Sequence, residues 1–192
     1  MVVRIDRVVT RGGDGGETSL GDGSRVGKDD LRIAAIGAVD EANAVMGILR
    51  LHTGGFTEVD AMLARIQNDL FDIGADLCVP GEAGARLRVG EGMLARLDSE
   101  ILEMNAGLAA LTSFVLPGGS AGEAYAHLAR TTLRRAEREV VGLAVAVPGA
   151  VNPVVVQALN RLSDHLFVMG RVLNSLSGCE DVLWVPGGKS EI

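Results

Sequence analysis

Aromatic side chains make up only 3% of this 192-residue chain, although 47% of its residues are hydrophobic. A core with so few rings must be filled by Leu, Val, Ile, Ala and Met, which packed helices use more than sandwiches do, so an all-α fold is favoured from the outset. Cysteine is scarce too: Cys78 and Cys179 stand 101 residues apart and form no CxxC pair. That excludes a zinc or disulfide framework as the organising element and points to buried thiols in a reducing cytosol. Long apolar runs are missing, since the longest, Val140 to Val151, spans 12 residues with Pro148 inside it, against the roughly 20 that a membrane span needs. The opening MVVRIDRVVTRGG alternates charge with valine and lacks the continuous apolar segment of a secretory leader. A cytoplasmic protein without membrane contact is expected. Positive charge is also short: the net charge is −7 and the pI near 5, which argues against a nucleic-acid partner, because such partners call for a basic face. Of the 18 basic residues only two are Lys; Arg supplies planar forks for phosphates and buried carboxylates, although coding bias gives the same excess.

What is present is helical periodicity. The length fits a single domain, and five segments carry apolar residues at spacings of three and four. The first runs from Asp30 to His52 and ends at Gly54-Gly55. The second carries Val59, Met62, Leu63, Ile66, Leu70, Ile73 and Leu77 before Pro80-Gly81, and the third carries Met93, Leu94, Leu97, Ile101, Met104, Leu108 and Leu111. A fourth spans Ser120 to Val145. Asn152 caps a fifth, with Pro153 at its first position and apolar residues from Val155 to Leu176 before Gly178. Short links between long helices predict an antiparallel up-and-down bundle of five helices. FVLPG reads as an extended lead-in to the fourth helix, with a short strand as the alternative. The expected layout is a glycine-rich N-terminal arm over residues 1–29, the bundle over 30–185 and a tail over 186–192, all within one domain.

Several familiar motifs fail. The early glycines do not match GxGxxG and do not sit between a strand and a helix of a βαβ unit. GGKS at Gly187 to Ser190 resembles the end of a P-loop, but Leu183 stands where the first glycine belongs and no helix follows. No Glu-x-x-His pair is present for a di-iron bundle. No protein-held metal is expected.

Other constellations survive. Thr10 to Gly23 holds six glycines and three carboxylates in fourteen residues; closely spaced glycines let backbone amides surround an anion, and Arg11, Thr18, Ser19 and Lys28 add donors suited to a polyphosphate. A disordered leader is the other reading of that composition. On the fourth helix, Arg130, Arg134 and either Glu137 or Arg138 share one face, which reads either as a solvated charge run or as a face answered by a ligand or a partner. The fifth helix carries Asn160, Asp164, Phe167 and Arg171 at steps of four, three and four. In the first, Gly37, Asp40, Ala44 and Gly47 form a narrow face whose single acid suits an Arg from a neighbouring helix or subunit. Together these stripes outline an anion-binding cleft covered by the arm.

With these pieces in order, the sequence resembles the PduO-type ATP:cob(I)alamin adenosyltransferases. The matching stretches are TRGGDGGETSL from Thr10, RVGKDD from Arg25, GAVDEAN from Gly37, FVLPGGS from Phe114, ARTTLRRAER from Ala129 and NRLSDHLF from Asn160. They cover nearly the whole chain. The resemblance implies a homotrimeric helical bundle with active sites between subunits. It implies that Thr10, Arg11, Gly12, Gly13, Thr18 and Lys28 hold ATP, completed by Arg134, Glu137, Arg138 and Asn160, with Mg²⁺ bridging phosphate oxygens. Arg130 and Arg134 would act in catalysis, with Asp40 pairing Arg130 across the subunit boundary. The corrinoid side would be Phe114, Asp164 and Phe167, Phe114 shielding the lower face of cobalt; as an alternative, Phe114 is a core residue at the start of the fourth helix. The implied reaction is attack of Co(I) of reduced cobalamin on the 5′ carbon of ATP, giving adenosylcobalamin and triphosphate. A flavin reductase and an adenosylcobalamin-dependent enzyme are the implied partners. A nucleotide hydrolase and a non-catalytic cofactor chaperone remain as alternative functions. The chain departs from the family pattern at Ala34, where Glu is common, and at Ala42, where Leu is usual.

Overall fold

The computed structural model describes residue 6, residues 8–81 and residues 86–188. The start of the expected arm, residues 1–5 and 7, and the end of the expected tail, including Lys189 and Ser190, lie outside the described residues. Five long helices form the up-and-down bundle that the periodicity predicts: α1 (Leu31–Arg50), α2 (Thr57–Leu77), α3 (Glu91–Ala106), α4 (Ala121–Ala146) and α5 (Pro153–Leu176). Each start has a local cause. Asp30 accepts from the Arg32 amide at 2.7 Å, Ser120 from the Glu123 amide at 3.1 Å and Asn152 from the Val154 amide at 3.1 Å, satisfying donors that a first turn leaves open. Pro153 then opens α5, where a missing N–H costs nothing.

The core forms where these helices meet. On α1, Ala35, Ala38, Ala42 and Met46 are buried, and on α4, Ala126, Ala129, Leu133 and Ala136. Helix α1 packs on α2 and α4, α4 on α5, and α5 on α3. Alanines on facing helices allow close approach, while Leu63, Ile66, Leu70, Leu159, Leu162 and Leu166 fill the remaining volume with no exposed surface beyond 1%. Truncating one of these leucines to alanine costs about 2–5 kcal/mol. No helix of the described residues is long and apolar enough to cross a membrane.

Three details depart from the periodicity. The third helix ends at Ala106, capped by Gly107, so Leu108 and Leu111 lie in the following loop. The glycine-rich segment holds a two-stranded antiparallel hairpin, β1 (Glu17–Ser19) and β2 (Arg25–Gly27), with Thr18 opposite Val26. Three-residue strands among glycines leave no alternation to read. The extended stretch before α4 pairs with the chain beyond α5: Leu116 donates to the Val182 carbonyl and Trp184 to that of Phe114, each at 2.7 Å. FVLPG is thus a lead-in with a single strand-like bridge, Val115 to Leu183.

Helix α3 is attached differently from the rest. Its only buried residues are Leu97 and Glu100, and it reaches α2 through Arg65–Glu100 at 2.8 Å and an Arg96–Asp69 pair. His165 of α5, fully buried, places Nε2 2.9 Å from the Glu100 carboxylate. Burial works against ionisation of Glu100, but the contacts of His165 and Arg65 and the charge of Arg96 outweigh it, and its pKa falls from 4.5 to about 2. A depressed carboxylate pKa stabilises the fold above the unfolded value and loses that contribution as pH falls toward the folded one, here on the order of 3 kcal/mol between pH 5 and pH 2. Urea unfolding at pH 7 and pH 3 should therefore show a drop that Glu100→Gln reduces; an undiminished drop in that variant places the acid sensitivity elsewhere.

Candidate active site

The glycine-rich segment is folded rather than a loose leader. Arg11 takes a left-handed backbone conformation, φ 59°, and opens a turn in which Asp14 donates to the Arg11 carbonyl at 3.3 Å and Gly16 to that of Gly13 at 3.2 Å. The turn is tied to β2 and its end: Arg25 Nη2 donates to the Gly12 carbonyl and the Lys28 amide to that of Gly16, both at 2.8 Å. A Cβ at Gly13 would lie 3.0 Å from the Lys28 ammonium, and one at Gly12 would lie 3.8 Å from Thr10 Oγ1. Bare backbone at Gly13 lets the ammonium lie over the turn, whereas at Gly12 a Cβ would meet the hydroxyl only at an ordinary contact distance. Thr10, Arg11, Gly12, Gly13 and Lys28 are accordingly gathered in one place. Thr18 faces another way and lines a cleft of about 500 Å³ against α1 and α2 with Gly37, Asp40, Asn43 and Phe71.

The second group lies on α4 and α5. Asn160 donates to Glu137 at 3.1 Å, and Arg138 donates to the Arg134 carbonyl at 3.1 Å. Arg130 is half-buried, whereas Arg134 and Arg138 are exposed. Burial and then the neighbouring Arg134 charge push the Arg130 pKa down, only partly answered by Glu123; a guanidinium does not give up its proton, so an anion at this face relieves both costs. Within the described residues Arg130 and Asp40 make no ion pair with each other. Asp40 stands exposed on α1, while the adjacent Glu41 is taken by Arg135 of α4. No hydrogen bond of residues 11–29 reaches α4 or α5; the outward backbone bond there is Gly21 to the Cys78 carbonyl at 2.8 Å. Within one chain the glycine-rich turn and the α4–α5 group are thus not joined by a hydrogen bond among the described residues.

The third group is apolar. Phe114 is 77% exposed, which removes it from the core and overturns the alternative reading of that residue. Its ring lies 6.0 Å from that of Trp184, and both line a cleft of about 560 Å³ with Leu111, Thr112 and Phe167. The structure thus unites Phe114 with Phe167. Asp164, one turn earlier on α5, is exposed at 3.6 Å from Arg161. Arg171, read with this stripe, is instead buried and bound to Asp181 at 2.7 Å and to the Ala109 carbonyl at 2.7 Å, which anchors the loop after α3.

Three residues of interest escape the sequence reading. Trp184 lies beside Phe114, and its only signal is being the one tryptophan of the chain. Glu123 and His127 lie fully buried behind Arg130; their spacing, four and then three residues along α4, was a readable signal of a shared face. Among the described residues no group of three or more His, Cys, Asp or Glu side chains is arranged to hold a metal.

Comparison with known proteins gives consistent matches. The family model described as cobalamin adenosyltransferase matches residues 8–173. A cobalamin adenosyltransferase of Cupriavidus metallidurans is 49% identical over 181 residues, 94% of this chain and 95% of that protein. A corrinoid adenosyltransferase of Mycobacterium tuberculosis is 46% identical over 98% of this chain and 97% of its own length. Among solved structures, a phenylalanine-to-histidine variant of the PduO-type ATP:corrinoid adenosyltransferase of Lactobacillus reuteri, complexed with cobalamin and ATP, superposes with a TM-score of 0.86 at 32% identity, covering 94% of this chain and 97% of that one.

Proposed function

Since the chain belongs to the cobalamin adenosyltransferase family and transfers the adenosyl group of ATP to cobalamin, we propose how its own residues carry out that transfer. The observation that carries the assignment of the corrinoid side is Phe114, an aromatic ring left 77% exposed over an apolar cleft. Such a ring is costly in water and suits the face of a large planar macrocycle. The electron pair of Co(I) attacks C5′ of ATP; the cobalt–carbon bond forms as the C5′–O5′ bond breaks, and its electrons leave on triphosphate. The substrate itself supplies the nucleophile, so the protein has to position, neutralise and exclude water.

In this reading Thr10, Arg11, Lys28 and the amides around Gly12 and Gly13 hold the phosphates, with Thr18 at the edge of the α1 cleft. Arg134, Glu137, Arg138 and Asn160 complete the nucleotide site from a second chain. Arg130 balances the leaving charge and pairs with Asp40 across the boundary. Phe114 and Phe167 keep water from the lower axial side of cobalt, with Asp164 at the rim. The residues fit Mg²⁺ only as an ion carried on phosphate oxygens, because the described residues form no acidic cluster and Glu137 is engaged by Asn160; its chemistry there is to offset phosphate charge. A flavin-type reductase upstream and an adenosylcobalamin-dependent enzyme downstream are the corresponding cytoplasmic partners.

Two measurements test this. Anaerobic incubation with chemically reduced cobalamin and Mg·ATP should give the adenosylcobalamin spectrum with stoichiometric triphosphate; release of orthophosphate or pyrophosphate instead would mark a hydrolase, and binding without turnover a chaperone. Light scattering should give three times the 20.0 kDa chain mass. A monomer at micromolar concentration sinks the shared site.

A further inference from the structure

Behind Arg130 a line of buried polar groups runs along α4. Glu123 is fully buried, and its Oε2 accepts from the Gly118 amide at 2.6 Å, in the loop that carries Phe114. Its Oε1 lies 2.9 Å from Nε2 of His127, one turn on and 2% exposed, within ion-pair reach but without hydrogen-bond geometry, and among the described residues neither atom has a hydrogen-bond partner. The other ring nitrogen of His127, Nδ1, lies 3.1 Å from Nε of Arg130. The edge of the imidazole rests against the Phe167 ring, centroids 5.9 Å apart at 85°. Residues 123, 127 and 130 share one helical face.

The donors and acceptors leave a single arrangement. An arginine Nε always carries a proton and cannot accept, so Nδ1 of His127 must present its lone pair. The ring proton then sits on Nε2, 2.9 Å from a carboxylate that also anchors Gly118. A proton on Nδ1 would oppose the Arg130 N–H and release the guanidinium. Fixing Nε sets the plane of the fork and leaves the four N–H bonds on its two Nη atoms for an anion.

We infer that Glu123 and His127 are positioning residues for the adenosyl transfer: they hold the Arg130 fork in one orientation and tie it to the backbone of the Phe114 loop. This rests on the reading of Arg130 given above. A carboxylate and an imidazole sealed in a helix interface stay there only if partnered; here the Gly118 amide holds one end, the close approach of the two groups links them, and Arg130 is the partner at the other end. The arrangement also joins the two sides of the reaction, since one end is the loop at the corrinoid cleft and the other is the basic face.

The test compares His127→Asn, whose Oδ1 can take the place of Nδ1 as acceptor, with His127→Phe, which fills the space and accepts nothing. His127→Phe should lower kcat at least about tenfold with little change in KM for ATP, as expected for a misplaced catalytic group, and His127→Asn should recover most of it. Equal kcat in the two variants, whether both intact or both reduced alongside the melting temperature, overturns the proposal. Should His127→Phe not fold, nitrogen-15 spectra of the imidazoles decide independently of activity, and with three histidines in the chain the signals are separable. The wild-type His127 ring should be protonated at Nε2 alone, and Arg130→Ala should alter its Nδ1 signal; a ring protonated at Nδ1, or an unaltered signal, overturns it. If Arg130→Ala leaves turnover intact while the signals behave as expected, the positioning contact stands and the catalytic role assigned to Arg130 falls.

Discussion

Arg130→Ala is expected to lower kcat by about two to three orders of magnitude, the range for removing a preorganised group that stabilises charge developing in a transition state. The loss should fall on turnover and assembly more than on the fold of the single chain. Among the described residues of one chain the side chain makes a single hydrogen bond, to His127, and its removal opens a half-buried position rather than the packed centre. If Asp40 of a neighbouring chain is its partner, the variant also leaves that carboxylate uncompensated at a boundary, so sedimentation should show weakened trimers. Single-turnover rates and sedimentation on the same preparation check both parts, and a fully active trimer refutes the pairing.

Phe114→Ala is expected to separate the two ways of feeding the reaction. With a strong chemical reductant supplying cob(I)alamin, much of the activity should remain; with a mild flavin-type reductant acting on bound cob(II)alamin, it should collapse by at least about a hundredfold, or roughly 2.7 kcal/mol of barrier. The physical reason is that water entering the vacated position gives cobalt a fifth ligand, which makes reduction harder. Stability does not confuse the result. A core phenylalanine costs about 3–5 kcal/mol on truncation, but a ring that is 77% exposed gives up little burial, so the melting temperature should barely move. Equal losses under both reductants would remove Phe114 from the corrinoid face.

The bundle was legible because its signals are long and redundant. The fourth helix, expected over Ser120 to Val145, is found as Ala121–Ala146, and the fifth begins at Pro153 behind an Asn152 cap as the sequence indicates. The hairpin at 17–27 and the return of the chain at Leu183 were not legible, since both rest on a few backbone bonds between short segments rather than on a periodic side-chain pattern. The basic face of α4 could be read as a stripe, but not that no hydrogen bond among the described residues joins it to the glycine-rich turn. Ala34 and Ala42 have different environments: Ala34 is exposed, whereas Ala42 is 1% exposed within the core, so only the second touches packing. The exposure of Phe114 is set by the fold and not by its local sequence, because a phenylalanine before a helix cap is equally well placed for the interior.

The attachment of α3 has a kinetic meaning. A helix whose one fully buried apolar side chain is Leu97, with Met93, Leu94 and Met104 half-buried against the core and the ion pairs Arg65–Glu100, Arg96–Asp69 and Arg161–Asp98 beside them, can detach without dismantling the rest of the apolar interior. Its amides should exchange with deuterium through a local opening of low free energy, ahead of those of α1, α4 and α5, which should exchange only when the whole chain unfolds. Because part of that attachment is ionic, the opening should become more frequent with added salt, while global unfolding responds much less. The molecule then has a rigid four-helix body and one detachable stave, and protease cleavage in the native state should begin at the ends of that stave.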